Sequence, residues 1–227
     1  RAGFDDGAPT TQQRPFVLAL EDFLAHHTRC AGNAAEGTTV AIGVHSLRAV
    51  SQRSLDAVAR VAEDKDIPLH LHIAEQTGEV EQCLAAHGKR PVEFLLENYE
   101  VNDRWCLVHA THIDADESKA LAKSGAVVCI CPTTEANLGD GLFPLRPFLE
   151  DGGRIAIGSD SQVSIDPFEE LRWLEYGQRL ASRSRNVVAI NHDNVGFELF
   201  DRVLRGGCQA AMQNPAGIVE GAGADLV

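Results

Sequence analysis

Ionisable side chains stand at or just after the ends of four apolar runs in this sequence. His45 follows AIGV, His72 and Glu75 end HLHIAE, His109 lies in LVHATH, and Asp160 closes AIGSD. A buried ionisable group needs a partner or a metal to offset its desolvation. Imidazoles and carboxylates are ligands of Zn²⁺ and Fe²⁺, and a catalytic site keeps one position open for water, whose pKa falls to about 7. The four placements together therefore predict one shared metal site.

Each of these residues also has an ordinary structural explanation. A single buried histidine is more often a hydrogen-bonded core residue than a ligand. Asp160 in Ser-Asp-Ser suits a turn or an N-cap, and Glu75 ahead of TGEVEQC suits the start of a helix. Cys129 and Cys131 point to one face of a strand-like run, as a ligand pair would, but two small core residues fit that apolar run better.

The charge balance argues against several classes of partner. The chain has 227 residues, with 20 basic and 33 acidic side chains and a net charge of −13, which repels phosphate backbones. No apolar run reaches the roughly 20 residues that cross a bilayer, and the first residues lack a signal-peptide pattern. Six cysteines without C-x-x-C spacing are typical of reduced, buried thiols. We therefore expect a cytoplasmic protein that binds neither nucleic acid nor membrane.

The elements that position these side chains form an alternating pattern. Helical spacing of apolar residues covers 46–65, 114–123, 167–183 and 197–213. The strand-like runs are apolar nearly throughout, so we expect burial on both faces, in a parallel sheet covered by helices. A doubly wound sheet and a (β/α) barrel both remain open. The five runs predicted as strands are 38–44, 67–74, 104–110, 126–132 and 154–160.

Two local expectations follow from this pattern. His70 and His72 alternate with Leu69 and Leu71, so both imidazoles should project to one face of the strand, with His72 nearer its carboxyl end. Carboxyl ends of parallel strands are where open α/β sheets and barrels gather their active sites. The large aromatic residues of the later helices should pack against the sheet together with a tryptophan of the third run; these are Trp105, Trp173 and Tyr176.

Four motifs in order, HLHIAEQ, LVHATH, CPTTEANLGDG and GSDS, resemble the amidohydrolase superfamily and, more narrowly, its deaminase branch. Within that branch VHSLRAV, RPVEFLLENYEVNDRWCLVHATH and EELRWLEYGQRL are similar to the formimidoylglutamate deiminase family. The similarity spans most of residues 38–185. Each motif alone is weak, but their order and spacing are specific.

This resemblance implies a metal-dependent hydrolase with a (β/α)8 TIM barrel, of which the chain holds about strands four to eight. It implies one divalent metal, most often zinc, with Fe²⁺ as the alternative. His72 would be the ligand from strand five and Asp160 the ligand from strand eight. His109 on strand six would lie beside the metal and assist the substrate. Glu75 would transfer protons, so Glu75, His109 and Asp160 are the predicted catalytic residues.

The resemblance also implies a substrate. The reaction would be hydrolytic deamination of N-formimino-L-glutamate to N-formyl-L-glutamate and ammonia, in histidine degradation. His45 and Arg48, after strand four, match positions that hold the substrate. A protein of net charge −13 needs a local cation for a ligand with two carboxylates, and the planar guanidinium of Arg48 binds a carboxylate at two points. The alternative for Arg48 is a solvated charge on a first helical turn.

One departure from the family pattern concerns the metal shell. The family takes two further ligands from an H-x-H motif on strand one, and no such motif precedes residue 38. The chain also begins at Arg1 without Met. We therefore expect a fragment with about half the metal shell. Residues 1–212 would form the partial barrel, and residues 213–227 would begin the return to a small β-sandwich domain.

Two rival readings remain. A related deaminase acting on a cyclic amidine, of purine or pyrimidine type, would need an aromatic pocket. The chain as given would alternatively be an inactive half-barrel that associates through exposed strand edges. A homodimer is a further expectation. Residues after the fourth run would either line the pocket or form an ordinary turn; these are Thr133, Thr134, Glu135 and Asn137.

Overall fold

A five-stranded parallel sheet forms the centre of the fold in the computed structural model, which describes residues 3, 4, 7–213 and 220. Neighbouring strands follow chain order, from β1 to β5, and every described pair is parallel. The α/β class is thereby confirmed. A doubly wound sheet reverses its strand order, whereas a barrel does not, so this order is that of a barrel segment. The strands are β1 (Ile42–Ser46), β2 (Leu69–Ile73), β3 (Trp105–His109), β4 (Val127–Ile130) and β5 (Arg154–Ile157).

Helices connect the strands in the described residues. Several begin where the sequence supplies a side-chain cap: Ser51 accepts a hydrogen bond from Ser54 N at the start of α2, and Asp114 forms a capping box with Glu117 at the start of α5. The helices are α1 (Leu20–Gly32), α2 (Gln52–Asp64), α3 (Thr77–His87), α4 (Pro91–Asn98), α5 (Ala115–Ser124), α6 (Pro132–Leu138), α7 (Leu145–Glu150), α8 (Pro167–Ser182) and α9 (Val195–Ala210).

The predicted boundaries are wrong at the first strand and the first long helix. The first strand begins at Ile42, and α2 begins at Gln52 instead of near residue 46. The carbonyl oxygen of Ser46 accepts hydrogen bonds from Ala49 N and Val50 N, so a turn separates β1 from the helix. The predicted return segment, 213–227, lies outside the described residues except at positions 213 and 220.

The two faces of the sheet differ. The outer face packs against the helices in one apolar core that includes Leu69, Leu71 and Ile73. The inner face carries a small cluster in which Cys106, Val127 and Ala156 meet the end of α9 at Ala210. At β1 and β2 the inner face is half-buried or exposed, so the expectation of burial on both faces is wrong there.

Several predicted burials are wrong. Trp105 is buried, but Trp173 and Tyr176 are 47% and 51% exposed because they lie on the outer surface of α8.

All six cysteines are free thiols, as predicted, and Cys30 is exposed on α1 while Cys83 is buried. None of the helices in the described residues is long and apolar enough to cross a membrane.

The last residues of α9 and the turn after it, residues 209–213, run beneath the amino ends of the strands. We call this segment the α9 strap. Gln209 donates to the carbonyls of Asp103 and Gly125, at 2.8 and 2.9 Å, and the Ala210 carbonyl lies 2.8 Å from His70 Nε2. The strap therefore ties residues of β2 to the segments that precede β3 and β4.

Candidate functional site

Three predicted site residues meet at the carboxyl ends of β2, β3 and β5. Ligand atoms of His72, His109 and Asp160 all lie within 4.8 Å of one another. His72 Nε2 is 3.7 Å from Asp160 Oδ1, and the rings of His72 and His109 are stacked with centroids 5.6 Å apart. The sequence separates these residues by up to 88 positions, and the parallel sheet brings them to one edge.

His72 is oriented by an irregularity in the neighbouring strand. Val44 pairs with Leu71 and Ser46 pairs with His72, so His45 is an extra residue in β1, as in a β-bulge. The freed carbonyl of His45 lies 2.7 Å from His72 Nδ1. Because a carbonyl only accepts, Nδ1 carries the hydrogen and donates it, which leaves Nε2 to face Asp160.

His109 reaches this cluster through its backbone conformation. Val108 pairs with His72, so strict alternation would put Val108 beside His72 and turn His109 to the opposite face. Instead, His109 and Ala110 have positive φ values of 71° and 50°. Non-glycine residues rarely adopt this region, and such strain is concentrated at functional sites. The left-handed backbone turns the His109 imidazole back toward His72.

Two carboxylates flank the buried His109 side chain. Its Nδ1 lies 3.2 Å from Glu135 Oε1, and its Nε2 lies 3.8 Å from Glu75 Oε1. Burial lowers the pKa of His109, but the hydrogen bond to Glu135 and the negative charges of Glu75 and Glu135 outweigh burial and raise this pKa overall. The two carboxylates therefore oppose the loss of a proton that burial alone would favour.

Glu75 lies between two charged groups at the start of the β2–α3 loop. Arg48 Nη2 is 3.8 Å from Glu75 Oε2. The backbone N–H of Glu75 donates to Glu79 Oε2 at 3.1 Å, just after Ala74, which has a φ of 49°. Burial raises the pKa of Glu79, although Arg48 and the backbone N–H donors oppose that rise. Glu79 thus holds the backbone from which Glu75 projects.

The predicted substrate residues lie at the edge of the cluster. The His45 ring is 5.3 Å from the His72 ring, and its pKa is lowered by burial and by the charges of His72 and Arg48, against the carboxylate of Asp160. His45 and Arg48 also line a cavity of about 900 Å³ whose walls include Phe16 and Phe23. This cavity gives the site an apolar side next to the cation of Arg48.

The residues after β4 divide between structural roles and the site. Both the N–H and the hydroxyl of Thr133 donate to Glu170, and the hydroxyl of Thr134 is 2.9 Å from Ser161 Oγ. Asn137 is exposed. Of the four residues expected either to line the pocket or to form a turn, Glu135 contacts a member of the His72, His109 and Asp160 cluster.

Sequence reasoning missed the contacts that join the loops above the sheet. His112, to which no role was assigned, has Nε2 2.7 Å from the Asp140 carbonyl oxygen. Gln76 donates to the Asp140 side chain at 3.1 Å. The sequence shows that His112 closely follows His109, but it does not show the contact with Asp140, which is distant in the sequence.

The donor set fits a divalent cation. A tetrahedral zinc ion bound about 2.1 Å from each ligand atom keeps those atoms about 3.4 Å apart, close to the 3.7 Å between His72 and Asp160. Two imidazoles and a carboxylate are ordinary ligands of such ions. Nε2 of His72 is the nitrogen that faces Asp160, and the other ring nitrogen, Nδ1, is hydrogen-bonded to a backbone carbonyl, as in most metal-ligating histidines.

Comparison with known sequences identifies named relatives of this chain. Formimidoylglutamate deiminase of Pseudomonas aeruginosa is 47% identical across all of this chain and half of that protein. The 5-methylthioadenosine/S-adenosylhomocysteine deaminase of Halobacterium salinarum is 35% identical across 62% of this chain and 33% of that protein. The chain thus spans at most about half the length of these curated relatives.

Solved structures show the same fold. The amidohydrolase from Brucella melitensis has a TM-score of 0.94 and 45% identity, covering 98% of this chain and 50% of that one. An adenosine deaminase from Xanthomonas campestris with bound zinc has a TM-score of 0.76 and 23% identity, covering 85% of this chain and 44% of that one. At that identity the second likeness shows the fold alone. The sheet order and these likenesses confirm the predicted barrel segment.

Residues 16–213 match the amidohydrolase family, which covers all five strands and the three clustered side chains. The roles predicted for the individual site residues and the division at residue 212 remain predictions. The chain belongs to the amidohydrolase family.

Proposed function

We propose that this chain supplies part of the active site of a metal-dependent deiminase that converts N-formimino-L-glutamate to N-formyl-L-glutamate and ammonia. The observation that carries the proposal is the His72, His109 and Asp160 cluster, with the Arg48–Glu75 pair beside it. The 47% identity to a protein named formimidoylglutamate deiminase supports the choice of substrate. The two functional groups of that substrate, an amidine and carboxylates, correspond to the metal cluster and to Arg48.

His72 and Asp160 would hold the cation, and His109 would lie beside it or complete its ligand set. Zinc is the preferred ion, since relatives of the same fold include a deaminase with bound zinc, and Fe²⁺ suits the same donors. A bound divalent ion of this kind makes hydroxide available near neutral pH. All further steps are assigned to side chains of this chain.

The proton transfers would involve two carboxylates. Asp160 would accept one proton as water attacks the formimino carbon and pass it on to the leaving nitrogen, and Glu75 would carry the second proton of water to the same nitrogen, so that ammonia departs. Glu75 Oε1 is 3.8 Å from His109 Nε2, so both groups face the same small volume. His109 would stabilise the charge that develops at the tetrahedral carbon.

Arg48 would bind a substrate carboxylate. In this structure Arg48 Nη2 is 3.8 Å from Glu75, and the Arg48 side chain is 29% exposed, so a ligand carboxylate can approach it from the cavity that it shares with His45. Binding a carboxylate there would also draw Arg48 away from Glu75. Substrate recognition and release of the proton-transfer residue would then be coupled.

The test uses the complete translation product of the gene that carries this chain, loaded with zinc. Ammonia release is measured with N-formimino-L-glutamate and with an uncharged N-alkylformamidine. We expect turnover of the first substrate, and Arg48→Ala should raise its KM at least about tenfold, the value of a charge-assisted hydrogen bond. The KM for the uncharged amidine should change less than about twofold.

A cyclic amidine substrate is the second candidate, favoured by the 35% identity to a deaminase named for 5-methylthioadenosine. Faster ammonia release from 5-methylthioadenosine than from N-formimino-L-glutamate would select that candidate. An equal loss with charged and uncharged amidines in Arg48→Ala would contradict carboxylate binding by Arg48. Residues 1–227 alone, assayed in parallel for zinc content and turnover, test the inactive half-barrel reading.

A further inference from the structure

Glu135 is a buried carboxylate to which the proposed reaction assigns no role. It lies on the first turn of α6, directly after β4, and is 4% exposed. A single oxygen, Oε1, accepts a hydrogen bond from Cys131 N at 3.0 Å and lies 3.2 Å from His109 Nδ1. Glu135 therefore connects the end of β4 to the side chain at the end of β3.

The two ring nitrogens of His109 have different surroundings. Nδ1 faces Glu135 Oε1, whereas Nε2 faces Glu75 Oε1 at 3.8 Å and the His72–Asp160 pair. An ionised carboxylate is only an acceptor, so a neutral imidazole satisfies Glu135 when its hydrogen is on Nδ1. The Nε2 lone pair then faces the site.

The His109 ring needs a contact that fixes its orientation, because its backbone does not follow the strand. Its φ of 71° turns the ring away from the direction set by alternation. Strained conformations persist when their surroundings over-determine them. The Cys131 N–H fixes the oxygen of Glu135, and that oxygen in turn fixes the ring.

We propose that Glu135 is a positioning residue that holds His109 as the Nδ1–H tautomer with Nε2 directed at the metal cluster. This inference rests on the proposed function for its effect on turnover. Its effect on the imidazole is independent of that function. Glu135 acts through His109 and does not touch the reacting atoms.

A second buried glutamate, on α8, contacts the same helix and provides a matched control. Glu170 is 2% exposed and accepts a hydrogen bond from Thr133 N at 2.9 Å, so it also clamps the start of α6. Among the described residues its hydrogen bonds are to Thr133 and not to the clustered side chains. Glu135→Gln and Glu170→Gln therefore both remove a buried charge that contacts the start of α6, but only the first removes a charge beside His109.

The experiment measures imidazole ¹⁵N shifts of histidine-labelled, metal-free protein at pH 8, in the complete gene product, with His109 assigned by His109→Gln. In the unsubstituted protein the Nδ1–H form of His109 should dominate. Glu135→Gln should change the tautomer ratio about tenfold, since a neutral amide oxygen holds the Nδ1 hydrogen less strongly than a carboxylate does. With zinc restored, kcat should fall about 10- to 100-fold with KM within about threefold.

Glu170→Gln should leave the His109 tautomer ratio and kcat within about twofold, while its thermal midpoint falls. An unchanged tautomer ratio in Glu135→Gln, or equal kcat losses in both variants, would overturn the inference and leave Glu135 a structural clamp. If the tautomer ratio shifts but the unsubstituted zinc-loaded protein turns over no amidine, the inference stands and the proposed function fails.

Discussion

The two ends of the same five-stranded sheet are held in different ways. At the carboxyl ends, His109, Ala110, Ala74 and Asp160 have positive φ values, and ionisable side chains meet within a few ångströms. At the amino ends, the α9 strap binds the neighbouring segments mostly through neutral groups: Gln209 donates to two backbone carbonyls and accepts from one charged side chain, Arg154. One end concentrates strain and charge, and the other satisfies backbone groups.

Buried glutamates account for how the strained end is maintained. Glu79 accepts from Glu75 N, Glu135 accepts from Cys131 N, and Glu117 accepts from Asp114 N, each at the loop that follows a strand. Carboxylates make stronger hydrogen bonds to backbone N–H groups than neutral acceptors do. Part of the net charge of −13 therefore lies inside the protein, where it fixes the loops that carry the site.

The largest effect is expected at the strained end. Glu75→Gln removes the proposed proton carrier while keeping its size, so kcat should fall at least about a hundredfold in the complete, zinc-loaded gene product. Zinc content measured by mass spectrometry should not change, because Glu75 is not among the clustered donors. Glu81→Gln, on the exposed surface of α3, is the control. Near-normal turnover in Glu75→Gln would remove this residue from the proton transfers.

A second prediction concerns the end held by α9. A methyl group on Gly206 would lie 2.0 Å from the carbonyl oxygen of Ile155, so the helix could not keep its place against β5. Gly206→Ala should lower the free energy of unfolding by about 3 kcal/mol, at the upper end of the cost of overpacking. Urea denaturation followed by circular dichroism measures the change.

Gly207 is the control for that substitution. Its added methyl group would meet nothing within 4 Å, so Gly207→Ala should raise the free energy of unfolding by up to about 1 kcal/mol through helix propensity alone. If both substitutions have the same effect, the close approach of α9 to β5 does not stabilise the sheet, and the contrast between the two ends is lost.

The sequence was sufficient to predict the features that depend on periodicity. Apolar runs and helical spacing predicted five parallel strands, and the alternation at His70 and His72 predicted their common face. Periodicity could not predict that His109 leaves the alternation, because this depends on a local left-handed backbone. It also could not show the bulge at His45, which depends on the register between β1 and β2.

The long-range contacts were beyond the sequence for a different reason. From the sequence alone, Glu135 is one of several polar residues expected in a turn, and its contact with His109 spans 26 positions. The strap contact between His70 and Ala210 spans 140 positions. A side chain's partners at such distances are set by packing of the whole fold, for which a single sequence carries no direct signal.

The smallest predicted effect tests whether the buried carboxylates strain the site end. Burial raises the pKa of Glu79 above its ordinary value near 4.5, and its nearest charged groups are Arg48 and Glu75. As pH rises, the unfolded chain loses this proton first, so the free energy of unfolding falls between the ordinary pKa and the raised one and is then constant. Glu79→Gln keeps an acceptor for Glu75 N but cannot ionise, so this part of the pH dependence should disappear.

At pH 7.5 Glu79→Gln should therefore be more stable than the unsubstituted protein, by on the order of 1 kcal/mol, and the difference should vanish or reverse near pH 4.5. Urea unfolding at both pH values measures it. Glu117→Gln is the comparison, because Glu117 pairs with Arg90 at 2.7 Å and its loss leaves that cation without this partner. Glu117→Gln should lose stability at pH 7.5. An equal loss of stability in Glu79→Gln would contradict this prediction. It would mean that neighbouring groups stabilise the charge of Glu79 as fully as Arg90 stabilises that of Glu117. Burial of charge at the carboxyl ends of the strands would then not lower the free energy of unfolding.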